Sequence, residues 1–198
     1  MSTVLEPGLD ARQRILQAAE RLFAEKGFAA TSVQEITEAA EVNKALLYYY
    51  FEDKHTLYTT LLDNGVTEFR RMLHGALDSP GTYPERLAVF IREHISLAWR
   101  RSTLLQMVHR CLMAGEGDGV ALNEKFQDNL DRLTAFFADG MAAGEFRATD
   151  PEMLARSVLG LDNSFILCKL YKGEEHGIDR VADHVTDLLV HALAPRQA

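Results

Sequence analysis

The chain has 198 residues, 47% hydrophobic and 25% charged, with a formal net charge of −8. That mix belongs to a folded protein with a real core and excludes disorder for most of the chain. An acidic molecule is also a poor generic polyanion binder, so any nucleic-acid contact must come from a local surface. No apolar run approaches the roughly 20 residues that span a bilayer. The opening MSTVLEPGLDARQ lacks a basic and then apolar leader pattern. Cys111 and Cys168 are too few for a disulfide scaffold and suit a reducing compartment. The expectation is a cytoplasmic protein with no membrane partner, no cofactor and no metal.

The periodicity throughout is helical, so the fold class expected is all-α. A first helix runs from about Leu9 to Lys26, with Ile15, Ala19, Leu22 and Phe23 on one stripe and Gly27 as its stop. Ser32-Val-Gln-Glu35 is a capping-box pattern that opens a short helix to about Ala40. Asn43 caps a third helix over Lys44 to Tyr50, and Asp53 caps a long fourth one. The fourth carries Leu57, Leu61, Leu62, Phe69, Leu73 and Leu77 at helical spacing.

After Ser79-Pro80-Gly81, Thr82-Tyr-Pro-Glu85 restarts the register, and one or two helices follow to about Ala114. Gly115, Gly117 and Gly119 suggest a loop, after which a helix from about Val120 reaches Ala143 and stops at Gly144. Asp150-Pro151 is an N-cap with proline in the first position of the next helix. Leu154, Val158, Leu161, Phe165 and Cys168 stripe that helix; Ile178, Val181, Val185, Leu188 and Ala192 stripe the last.

Thr31 to Phe51 therefore holds two short helices and a tight turn, a helix-turn-helix pattern with Ile36, Ala40, Val42 and Leu47 as a small core. Tyr48, Tyr49, Tyr50 and Phe51 are consecutive on the third helix. At about 100° per residue four neighbours sweep about 300°, so they cannot all face inward. Exposed phenols beside Lys44 and just before Lys54 suit a phosphate-lined groove, where hydroxyls and ammonium groups bond phosphates and ring edges meet thymine methyls.

The stretch TSVQEITEAAEVNKALLYYYFEDKHTLYTTLL, with RQRILQAAERLFAEKGFAA before it, resembles the N-terminal DNA-binding domain of TetR-family transcriptional regulators. GEFRATDPEMLARSVLGL resembles a join between that family's late helices. The resemblance implies a helix-turn-helix domain over residues 9–55 and a ligand-binding and dimerisation domain over 56–198. It implies that Thr31 and Ser32 contact DNA backbone and that Lys44 and Ala45 enter the major groove. Tyr48, Tyr49 and Tyr50 would contact phosphates and base edges, Lys54 would bind phosphate, and Leu47 and Phe51 would be core.

The sequence also departs from that pattern. Glu41 stands where a turn glycine is usual; a left-handed non-glycine residue there costs about 1 kcal/mol, and its carboxylate repels phosphate. Ala45 replaces a frequent glycine, Leu46 a small or polar residue, and Glu52 and Asp53 residues that are often basic or polar. Residues 1–55 hold six Lys/Arg against nine Asp/Glu. One copy would bind DNA feebly, while two rigidly spaced copies make the second contact intramolecular.

The last two helices carry apolar residues on two sides, which calls for two partners. The second partner expected is the same helix pair of another subunit, through Leu154, Val158, Leu161, Phe165, Val181, Val185, Leu188 and Ala192; a thick monomeric core is the alternative. An unknown small-molecule effector would sit among Phe90, Trp99, Met107, Met113, Phe137, Met141 and Phe165, oriented by His94, His109 and Asn163.

His184 and His191 lie seven apart without a ligating pair, which argues against a metal site. His109 and Cys111 are two apart on a helix and point to different faces, which argues against a nucleophile pair. The reading is a homodimeric, ligand-responsive regulator of a double-stranded, near-palindromic operator, most simply a repressor, with an activator role compatible. The competing class is a dimeric helical enzyme or carrier whose helix-turn-helix is structural.

Overall fold

The computed structural model describes residues 10–114, 118–173 and 176–195, and every regular element in it is a helix. In chain order these are α1 (Ala11–Lys26), α2 (Val33–Ala39), α3 (Lys44–Tyr50), α4 (Lys54–Leu77), α5 (Tyr83–Arg100), α6 (Ser102–Ala114), α7 (Asp118–Ala142), α8 (Pro151–Lys172) and α9 (Ile178–Leu193). The region after Thr82 resolves into two helices, α5 and α6, and α7 starts at Asp118.

Helix starts follow from local hydrogen bonding. The first amides of a helix have no intrahelical acceptor, so a short polar side chain just ahead of them takes up one. Asp10, Ser32, Asn43, Thr82 and Asp150 each accept such a bond, and Asp53 accepts one from the Thr56 amide at 2.6 Å. At α2 and α5 the bond is reciprocal. The Ser32 amide donates to Glu35 at 2.8 Å and the Thr82 amide to Glu85 at 2.8 Å. Gly27 and Gly173 close α1 and α8 at φ of 83° and 67°, where a side chain would strain the backbone. The expected loop glycines Gly115 and Gly117 fall outside the described residues. Gly119 does not belong to a loop: it lies inside α7, with the Cys111 carbonyl 2.5 Å from where a Cβ would stand.

The chain forms two compact units. The first comprises residues up to Gly65 together with Thr103–Leu122; the second comprises Val66–Ser102 and Asn123 onward. In the first, Ile15, Ala19, Leu22 and Phe23 of α1 are buried with Ile36, Ala40, Leu47 and Phe51. Val42 is only half-buried. The α6 helix belongs to this unit: Arg110 donates to the Ala24 carbonyl at 2.6 Å, and Val108 and Leu104 pack at Gly65.

The second unit is built around rings. Phe90, Phe136 and Phe137 are fully buried with Leu87, Ile91, Leu133 and Val158. Phe146 closes on Gly140, where a Cβ would stand 2.5 Å from its ring. Leu154, Val158, Val181 and Val185 point into this core, which corrects the expectation that they face a second subunit. Their heptad spacing places them on the inner side of α8 and α9. Among the stripe residues expected at an interface, Leu188 is 49% exposed, Ala192 is exposed, and Leu161 and Phe165 are half-buried. No described helix is long and apolar enough to cross a membrane.

Candidate nucleic-acid interface

The site forms around α3. Leu47 is fully buried and Phe51, which ends the helix, is 3% exposed. These two fix which side faces inward. The three tyrosines between them then face out: Tyr48 is 51% exposed, Tyr49 79% and Tyr50 37%. The Tyr49 and Tyr50 rings meet edge to face at 5.1 Å. Lys44 and Ala45 are exposed at the start of the helix, just after the cap made by Asn43. The surface thus offers three phenols, one ammonium group and a methyl group on a single short helix.

The turn between α2 and α3 carries the departure noted in the sequence. Glu41 sits at φ 53° and is the one non-glycine residue at positive φ among the described residues. The turn requires the left-handed conformation and the chain makes it without glycine. The Val42 amide donates to the Thr37 carbonyl at 3.0 Å, which holds the turn closed.

Two expected DNA contacts do different work. Thr31 is 1% exposed, and its hydroxyl donates to the carbonyls of Gly27 at 2.8 Å and Leu22 at 3.2 Å. It fastens the end of α1 with its hydroxyl turned inward. Lys54 is half-buried; its ammonium donates to the Phe28 and Thr31 carbonyls, both at 2.8 Å, and stands 4.2 Å from the centre of the Phe28 ring. Two of its three protons are committed to the 28–31 loop, so it is first a clasp of the fold. Neither role has a side-chain pattern to mark it: all four acceptors are main-chain carbonyls, and those of Lys54 lie more than twenty residues away.

Ser32 remains exposed beside α3's partner helix, with its hydroxyl shared with the Glu35 carboxylate at 2.9 Å. Glu35 also receives the Lys26 ammonium at 2.6 Å. The Lys26 ammonium, with the Ser32 amide and hydroxyl, holds the Glu35 carboxyl down at about 2.

The expected effector residues divide between the two units. Met107 is buried, His109 half-buried and Met113 exposed on α6 of the first unit, where burial lowers the His109 imidazole pKa. The others are in the second unit. Phe90 and His94 are buried and stacked at 5.6 Å; Phe137 lies in the ring core; Trp99 is half-buried with the Lys169 ammonium 4.9 Å from its ring. Asn163 is exposed and Phe165 has His176 and His184 edge-on at 6.4 Å. A shallow groove of about 770 Å³ between α5 and α9 contains none of the expected residues. Arg92 in its wall is already paired with Asp183 and with Asp179. No group of three His, Cys, Asp or Glu side chains suited to a metal occurs among the described residues.

Comparison with known proteins accords with this geometry. Residues 15–61 match the family described as bacterial regulatory proteins, tetR family, and residues 80–193 match the tetracyclin repressor-like C-terminal domain. The chain is 29% identical over 126 residues to the HTH-type transcriptional regulator AcrR of Shigella flexneri, an alignment covering 61% of this chain and 57% of that protein. It is 21% identical over 182 residues to the fatty acid metabolism regulator protein of Bacillus subtilis, covering 91% and 94%. A solved structure of AibR in complex with isovaleryl coenzyme A and operator DNA shares the fold at a TM-score of 0.70 and 24% identity, covering 95% of this chain and all of that one. The two family matches together take in the reading head and the C-terminal helices, and on them the chain belongs to the tetR family of bacterial regulatory proteins, which are DNA-binding transcriptional regulators and not enzymes.

Proposed function

We propose that the chain is a homodimeric, ligand-responsive repressor that leaves a near-palindromic operator when a small molecule binds its C-terminal helices. The observation that carries this reading is the outward face of α3, with Tyr48, Tyr49 and Lys44 exposed on a helix whose inner residues are locked. Each subunit places α3 in one major groove, with half-sites about 34–36 Å apart. The acidic balance of the head makes a single contact weak, so dimerisation belongs to the mechanism. The exposed apolar residues Met153 and Leu188, on α8 and α9, support a second subunit there. AibR, of the same fold, was solved with an acyl coenzyme A and operator DNA, which supports an effector of that general kind. The effector acts only to the extent that it prefers a conformation unfit for DNA.

Selection of duplexes from random DNA, repeated with candidate effectors, tests the proposal. Affinity is expected to fall steeply with salt. Lys44→Ala is expected to weaken binding on all sequences and reduce the salt slope by about one per contact. A salt-independent association, or Lys44→Ala binding like the parent, would count against the module. A selected site without two-fold symmetry would remove the dimer.

A further inference from the structure

The outward line of α3 has a definite chemistry. Taking buried Leu47 as the inward direction, a rotation of about 100° per residue puts Ala45 about 160° and Tyr49 about 200° away. The exposures agree: Ala45 is exposed and Tyr49 is the most exposed of the three tyrosines. Guanine and adenine are read in the major groove chiefly by Arg or Lys and by Asn or Gln, through paired hydrogen bonds. None of these stands on that line. The nearby polar side chains are engaged within the fold. Asn43 accepts from the Leu46 amide at 2.8 Å, Gln34 donates to Glu38 at 2.9 Å, and Ser32 bonds Glu35. Lys44 lies about 60° from the inward direction, on the flank, where an ammonium group reaches backbone phosphates.

A methyl group and a phenol ring are therefore what α3 presents to the base edges. The apolar feature of the major-groove floor is the C5-methyl group of thymine. We propose that thymine methyl groups, met by Ala45 and Tyr49, determine which half-site this protein prefers. The inference rests on the reading that α3 enters a major groove.

The test uses the full-length chain and the duplexes it selects from random DNA. Each selected duplex is copied with deoxyuridine in place of thymidine, which keeps base pairing and removes the methyl groups. Affinity is expected to fall about fourfold per contacted methyl group, and to return when thymidine is restored within the half-sites alone. Tyr49→Ala is expected to shrink the thymidine-to-deoxyuridine ratio, while Tyr49→Phe keeps it. Equal affinity for the two copies would overturn the inference. So would a loss seen only with 7-deazaguanine, which would assign the reading to Lys44 at guanine N7. If no duplex is enriched at all, the DNA-binding reading falls first, and the two failures are told apart.

Discussion

The two compact units both have apolar cores and differ in what supplements them. The first buries Ile15, Phe23, Ile36 and Leu47 and adds polar clasps around its two short helices: Ser32 with Glu35, Glu35 with Lys26, Thr31 with two carbonyls, and Lys54 with two more. The second is held by packed rings, with Phe90, Phe136 and Phe137 fully buried and Phe146 set against Gly140. Helices of seven residues cannot bury much area, so α2 and α3 need side chains that satisfy their ends. That arrangement leaves the outer side of α3 free of structural duty. In the ring core the same residues that look suited to a ligand are the ones that hold the unit together.

The sharpest way to break this contrast is to remove a ring. Phe137→Ala is expected to cost the second unit about 3–5 kcal/mol. The single tryptophan, Trp99, lies in that unit and reports on it by fluorescence during urea unfolding. An unchanged midpoint would mean that ring packing is not what holds the unit.

A clasp is the next test. Lys54→Met keeps the stem and removes both bonds to the loop carbonyls, and is expected to cost about 2 kcal/mol. Thermal stability and DNA affinity should fall together in this variant. Lys44→Ala, with no structural duty, should change stability by less than about 0.5 kcal/mol. If Lys54→Met melts like the parent, the lysine is a phosphate ligand and little else.

The turn sharpens the comparison in the other direction. Glu41→Gly relieves a left-handed residue and is expected to stabilise the first unit by up to about 1 kcal/mol. Loss of the carboxylate should also tighten DNA binding at low salt. Calorimetry and a gel shift at two salt concentrations check both effects, and a destabilised variant would mean that the Glu41 side chain has a partner of its own.

How far each region was legible in the sequence follows from the same contrast. Caps act over three residues, so Ser32 with Glu35, Thr82 with Glu85, Asn43 and Asp150 are readable from spacing alone, and all four are found at work. The exposed tyrosines are readable too, because adjacent residues on a helix cannot share a face. Thr31 and Lys54 were not, since their partners are main-chain carbonyls that no side-chain spacing marks, and those of Lys54 are brought close by the tertiary fold. The stripes of α8 and α9 show why apolar spacing alone does not identify a partner. Leu154, Val158, Val181 and Val185 fit a heptad seam and a subunit core equally well, and the structure places them in the core.

The smallest effect concerns acid. The Lys26 ammonium, the Ser32 amide and the Ser32 hydroxyl lower the Glu35 carboxyl from 4.5 to about 2. A folded pKa below the unfolded one means that the folded state binds the proton more weakly. The contribution is therefore complete above about pH 4.5 and is lost as pH falls towards 2. The pair is exposed, so solvent and salt screen it and the effect on global stability is modest. It is local to the start of α2, where the capping box closes on the same carboxylate. Amide hydrogen exchange at Ser32 and Glu35 is expected to quicken between those pH values, beyond the change in intrinsic rate, in the parent. In Glu35→Gln it should already be faster at neutral pH and flat through the acid range. Identical acid profiles in parent and variant would show that another carboxylate governs this end of the reading head. Asp53, whose pKa is also lowered, by its bonds to Thr56, would be the next to examine.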